Sequence, residues 1–241
     1  MIKRVFNVRN YIFFVLLTLF VSAIYVSVRI YQAPVSASDA IDVRVKSDYV
    51  LALVECILGM VAILLPSILL KKWLSYMPPQ MITIYVTFLY FTIYLGEVHD
   101  YYTTIPNFDT IMHAFSGVAL CAIGLSIINI LNDSDKIILN LSPAFVAIFA
   151  FCFALAFGAI WEIYEFTIDS VFDTNMQRVV MTNGQLKVGQ MALLDTMKDI
   201  IVDTFSALAM SIVGYISVKY SKGWIKQFKV IKEHRMINDG E

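Results

Sequence analysis

Three sets of side chains in this sequence could hold a divalent cation or move protons. Asp109 and His113 are spaced i,i+4. Glu162, Glu165 and Asp169 are spaced i,i+3,i+7, and Asp195, Asp199 and Asp203 are spaced i,i+4,i+8. On an α-helix each of these spacings puts its set on one face. Carboxylates converging with an imidazole from facing helices are a recurrent way for a bundle to hold a metal. The candidate ligands are Asp109, His113, Glu162 and Asp203, with Glu165 and Asp199 as candidate general bases. An oxygen-rich site with one imidazole suits Mn, Fe or Zn; without the imidazole it suits Mg or Ca. Two other uses of the same residues stay open. One is a metal-free polar network, closed by hydrogen bonds from Ser116, Tyr164, Thr204 or Asn175 and by pairing with Arg178 or Lys198. The other is a proton or ion pathway.

All three sets lie at the edges of long apolar runs. The chain has 241 residues, 59% hydrophobic and 15% charged, against roughly half apolar and a quarter charged in soluble domains. Six runs are long enough to cross a bilayer, roughly 11–31, 49–70, 79–96, 109–131, 142–168 and 195–219, given that a span needs about 20 residues. The expected fold is therefore all-α: a single membrane domain over 1–241 with about six transmembrane helices, followed by a basic cytoplasmic tail over 220–241. The first run is longer than the roughly 7–15-residue core of a secretory signal, so an uncleaved span is expected. With a cytoplasmic N-terminus, twelve of the eighteen Lys and Arg residues fall on the inner side. Both termini are then cytoplasmic by the positive-inside rule, and the acidic sets share the extracytoplasmic side. A net charge of −1 gives no reason to expect nucleic acid. Cys56, Cys121 and Cys152 all fall inside apolar runs and read as packing residues.

A carboxylate inside a span costs roughly 2.5–3.5 kcal/mol on insertion scales, so these acids need partners. Asp195 suits a helix N-cap. Asp203 lies eight residues further on, about 12 Å along the helix at 1.5 Å per residue, and so approaches the mid-plane. Small residues extend each acidic face: Gly117 after His113, Gly158 before Glu162, and Ala207, Ser211 and Gly214 beyond Asp203. Such residues let membrane helices approach closely, so spans four, five and six are expected to pack together with their acids inward.

The connections add three readings. Residues 178–188 carry Asn183-Gly184 between β-favouring runs, which predicts a hairpin; it is either a plain loop or a lid over the acids. Residues 222–232 mix basic and apolar side chains at helical spacing and read as an inner-leaflet anchor. His99, beside Glu97 and Asp100, reads as solvated rather than as a ligand, and His234 has no assigned role.

The segments Asn107 to Gly117, Trp161 to Phe166, Thr174 to Gln177 and Asp195 to Asp203, in this order over roughly 80–220, resemble the YjdF-type family of uncharacterised bacterial integral membrane proteins. More remotely they are similar to VanZ-like proteins, in which an Asp-x-x-x-His, a Glu followed by a Gln, and an Asp on a final helix form one set. The residues matching that set are Asp109, His113, Glu165, Gln177 and Asp199. The resemblance implies a multi-pass protein of the bacterial cell membrane, and the VanZ-like group is associated with glycopeptide resistance. This chain departs from that pattern in its additional acids and in the 178–188 insertion. The function expected from the residues is an extracytoplasmic, metal-dependent hydrolase or transferase acting on a lipid-linked or envelope substrate, with membrane lipids as surroundings. The alternatives are an ion- or proton-coupled transporter, and a non-catalytic VanZ-like envelope protein.

Overall fold

The computed structural model describes residues 7–35, 44–69, 79–132, 141–181 and 185–220. The chain is all-helical: α1 (Val8–Gln32), α2 (Lys46–Leu69), α3 (Pro79–Leu89) continued as a π-helix (Tyr90–Val98), the one-turn α4 (Tyr101–Thr104), α5 (Phe108–Asn132), α6 (Pro143–Phe172) and α7 (Leu194–Lys219). Six of these elements are long and apolar enough to cross a membrane. Large apolar side chains point outward along them, among them Phe13, Phe20, Ile148, Ile163, Phe205 and Ile212. Such a belt fits a hydrocarbon surrounding. The tail over 222–232 lies outside the described residues.

Two three-helix groups make up the bundle, each with its own core. α1, α2 and α3 close around Val15, Leu19, Cys56, Ile63, Val86 and Ile93. α5, α6 and α7 close around Cys121, Leu125, Val146, Ala150, Ala154 and Ala207. Lipid tails are as apolar as leucine, so burial alone gives membrane helices little reason to associate; close packing and interhelical hydrogen bonds supply it. Both appear here. A Cβ on Gly124 would lie 3.0 Å from Ala150 Cα, and one on Gly214 would fall on the Leu125 side chain. Ser211 Oγ donates to the Ala147 carbonyl at 2.8 Å, and the Tyr11 and Thr87 hydroxyls meet at 2.8 Å. Cys56 and Cys121 are buried as expected of packing residues, whereas Cys152 is exposed on the outer face of α6.

The third span runs past Gly96, where the apolar pattern predicts its end. It continues to Val98 with π-helical winding, and Asp100 in the left-handed region (φ 62°) then turns the chain. Gly96 does not terminate the helix; it leaves room for the Tyr102 ring, which occupies the place a Cβ would take.

Few contacts join the two groups. Phe88 stacks on Phe115 (centroids 5.5 Å apart, planes 13° apart), and Tyr101 and Tyr102 pack edge-on against Phe108. A polar link is made by Tyr164, whose hydroxyl donates to Glu55 Oε1. Glu55 is buried and sits about 14 Å into α2 at 1.5 Å per residue.

Removing only the Tyr164 hydroxyl leaves the Glu55 carboxyl buried without its donor. Tyr164→Phe is expected to lower stability by about 1–3 kcal/mol, while Tyr164→Phe combined with Glu55→Leu recovers most of the loss, since replacing both partners by apolar groups is nearly neutral. Thermal unfolding in detergent of the two single variants and the double variant checks this.

Candidate functional site

The acidic sets meet at the end of the bundle where α5 and α7 begin and α6 ends. Asp109 lies in the first turn of α5, at the positive end of the helix dipole. One turn later, the His113 ring stands between two carboxylates. Its Nε2 is 3.7 Å from Asp109 Oδ1, and its Nδ1 is 3.4 Å from Asp203 Oδ2. Ser116 Oγ donates to Asp203 Oδ1 at 3.2 Å. Asp109, His113 and Asp199 each bring a ligand atom within 4.8 Å of the others, so this group could hold a metal. His113, Asp199 and Asp203 are buried, and the Asp109 side chain is 13% exposed.

Some of the burial is uncompensated. Oδ1 of Asp199 is buried with no hydrogen-bond partner among the described residues, and the buried Glu162 oxygens have the Thr196 hydroxyl beside them but make no well-formed hydrogen bond. A buried polar group is normally partnered, and leaving a charged one alone is costly. Those oxygens are what a cation or a proton would satisfy. Glu165, also buried, is held instead by the Trp161 indole, whose Nε1 donates to its Oε1 at 3.0 Å.

Small residues bring the helices this close. A Cβ on Gly117 would sit 2.9 Å from the Asp203 carbonyl oxygen and 3.3 Å from its Cα. A Cβ on Gly158 would sit 2.6 Å from Asp203 Oδ2. α7 can therefore press Asp203 between α5 and α6 only because both neighbours are glycine.

The α6–α7 connection folds over this end. Asp169 is not part of the cluster. Its carboxylate organises the loop, accepting from Thr174 Oγ1 (2.6 Å), Met176 N (2.8 Å) and Gln177 N (2.9 Å). Asn175 pairs both ways with the Val180 backbone, and Gln177 Nε2 donates to Thr196 Oγ1 at 2.9 Å. Arg178, in the left-handed region (φ 50°), brings Nη1 to 3.4 Å from Asp109 Oδ2 and 3.6 Å from Asp195 Oδ1. Its Nη2 donates to the Tyr102 carbonyl at 3.1 Å. A non-glycine residue rarely adopts this conformation, and here it accompanies a guanidinium aimed at two carboxylates. The arms of the expected hairpin do pair: Val180 and Leu186 form an antiparallel bridge, with Met181 N donating to Gln185 O and Lys187 N to Val179 O. The tip, 182–184, lies outside the described residues.

Several sequence expectations change at this level. Asp195 does not cap α7; the cap position is Leu193, with no side-chain hydrogen bond, and Asp195 pairs with Arg178 from the first turn. Of the four expected network donors, Ser116 reaches a cluster carboxylate. Tyr164 goes to Glu55, Thr204 back-bonds to the Ile200 carbonyl, and Asn175 serves the loop. Among the described residues Lys198 forms no ion pair. His99 packs edge-on against Tyr94 (4.7 Å, 74°), outside the cluster. Glu55 was not singled out from the sequence, although an acid well inside the second apolar run carries the same insertion cost that marks the others. Outside the spans, burial first and then Glu97 and Asp109 push the Tyr102 phenol well above its usual range, so it stays a neutral hydroxyl beside the site.

Residues 11–220 match the family described as Predicted membrane protein (DUF2238). The chain belongs to this family. No curated protein and no solved structure matches it.

The two glycines give separable expectations. Gly117→Ala drives a Cβ into the Asp203 backbone, which cannot step aside, and should cost about 1–3 kcal/mol of stability, as overpacking does. Gly158→Ala meets only the Asp203 carboxylate. It should be the milder change in thermal unfolding yet break the His113–Asp203 contact, seen as altered imidazole nitrogen shifts in NMR.

Proposed function

We propose that this protein is a metal-dependent membrane enzyme, a hydrolase or transferase, with its centre at the extracytoplasmic surface of a bacterial membrane and both termini in the cytoplasm. The observation that carries the reading is the joining of Asp109, His113 and Asp199 from two helices within 4.8 Å, with one buried Asp199 oxygen lacking a hydrogen-bond partner among the described residues. Three protein ligands leave coordination positions open for water or substrate, as catalytic sites do. Two carboxylates and one imidazole suit Mn, Fe or Zn, and Mg where the oxygens dominate.

The geometry favours a division of labour. His113 Nε2 faces Asp109, the ligand side, while Nδ1 faces Asp203. An imidazole bound to metal through one nitrogen gives its other N–H to a carboxylate, which fixes the ring and raises its basicity. In this reading Asp203 orients His113, and Asp199 takes the ligand place that helical spacing alone gave to Asp203. Glu162, whose buried oxygens make no well-formed hydrogen bond, is the remaining candidate for a fourth ligand or for the base that activates water. Glu165, tied to Trp161, is the other candidate base. A bound metal would polarise an acyl or phosphoryl oxygen and lower the pKa of a bound water.

Gln177, which the VanZ-like resemblance groups with Asp109, His113, Glu165 and Asp199, hydrogen-bonds Thr196 in the first turn of α7. The transporter alternative needs polar groups through the whole depth. The core that α5, α6 and α7 share away from the acids is largely apolar, with the uncharged Ser211 and Ser217 as its buried polar side chains among the described residues, which favours the enzyme.

Elemental analysis of the detergent-purified protein tests the centre. Wild type should carry near-stoichiometric metal, and His113→Ala and Asp199→Asn should lose it while staying folded. Asp203→Asn should weaken binding by about 10–100-fold, the usual effect of losing an orienting partner. A wild type that stays free of metal after supplementation with Mn, Fe, Zn and Mg would sink the reading.

A further inference from the structure

The gap between the two helix groups is a cavity of about 2190 Å³, against roughly 300–1,000 Å³ for the pockets of drug-sized ligands. It is not uniform along its length. Leu58, Ala62, Ile82, Phe88, Ala119 and Ala122 form apolar walls on both sides. Water has no partners there, and apolar cavities of this kind stay dry or take apolar guests. The other end is polar and continuous with the candidate centre, since Asp109, His113, Tyr102 and Tyr164 line it too. A guest that fills the whole space has a long apolar part and a polar head at one end.

The polar end also limits the head. Carboxyl side chains there outnumber the cationic ones, Arg44, Arg178 and Lys187. Arg178 is already engaged by Asp109 and Asp195. Arg44 is turned to the Glu97 and Val98 carbonyls. With both arginines engaged, a multiply charged head such as a phosphomonoester finds little counter-charge in the metal-free cavity, whereas hydroxyls can pair with the many carboxyl oxygens. We infer that the cavity binds the alkyl chain of a membrane lipid with an uncharged, hydroxyl-bearing head, and presents that head to the Asp109 and His113 side of the candidate centre. The chemistry done on the head rests on the metal-centre reading; the binding of the lipid does not.

Photo-crosslinking tests the site. The full chain is placed in phosphatidylcholine nanodiscs with a monoglycosyl diacylglycerol carrying a diazirine in its acyl chain, and adducts are mapped by mass spectrometry. Adducts at Phe88, Ala119 and Ala122 should exceed those at the outward-facing Phe14 and Phe205 several-fold. They should fall several-fold with excess unlabelled glycolipid, and again in Ala119→Phe or Ala122→Phe, which fill the cavity. The competition is read on wild type, so it stands even if a filled variant misfolds. Adducts spread over outward faces without competition would overturn the inference and leave only boundary lipid. Equal labelling of the cavity by the phosphatidic acid analogue would overturn the assignment of the head. Metal content is measured on the same sample. Saturable labelling without metal would sink the metal centre and keep the lipid site, and metal without saturable labelling would do the reverse.

Discussion

The cost of burying carboxylates governs this structure. An acid in a span is tolerated only when something offsets its desolvation, and each buried acid here is handled differently. Asp203 has an imidazole and a hydroxyl. Glu165 has an indole, and Glu55 has a phenol from the opposite helix group. Asp109 and Asp195 share one guanidinium. Glu162 has only the Thr196 hydroxyl beside it, without a well-formed bond, and one oxygen of Asp199 has no hydrogen-bond partner among the described residues. Of the first five, Glu165 is held within its own helix and the other four tie separate segments together; the last two are the least compensated.

That distinction separates architecture from chemistry in the acidic end. The Glu55–Tyr164 hydrogen bond is a strut between helix groups that otherwise meet through a few aromatic contacts. The Asp169 carboxylate is a loop fastener, and it holds the α6–α7 connection so that Arg178 reaches across to α5 and α7. Removing these residues from the acidic inventory leaves a smaller and more coherent set around His113. The left-handed backbone at Asp100, Asn107, Asp173 and Arg178 falls in the connections at this same end. Aspartate and asparagine adopt it readily and arginine does not, and Arg178 is the one of the four that pairs with Asp109 and Asp195.

Close helix approach and the acidic cluster are one design. Gly117 and Gly158 flank Asp203 from both sides, and neither position accepts a Cβ without displacing it. The same small residues that let α5, α6 and α7 associate in lipid also shrink the space around the carboxylates, which strengthens every electrostatic interaction there. The two three-helix groups are packed far less tightly against each other than within themselves, and the cavity lies along that seam.

Six helices, their limits to within a few residues, and the grouping of acids onto single faces followed from the sequence. Hydropathy over about 20 residues and the 3.6-residue period are local properties that lipid enforces directly. The pairing of Gly117, Gly158 and Gly214 with acidic faces was legible for the same reason. Spacing places a side chain on a face but not opposite a particular neighbour, so the partner of each acid was not legible. Only the rotation of each helix about its axis, fixed by packing against the others, turned Tyr164 to Glu55, put Asp199 rather than Asp203 beside Asp109, and sent Asp169 into the loop. The π-helical winding past Gly96 had no period of its own to reveal it. The sequence by itself determined that this chain spans the membrane with its acids gathered at one end. The tertiary structure decided which of those acids brace the bundle and which are least compensated, because that depends on distances between helices that no single helix encodes.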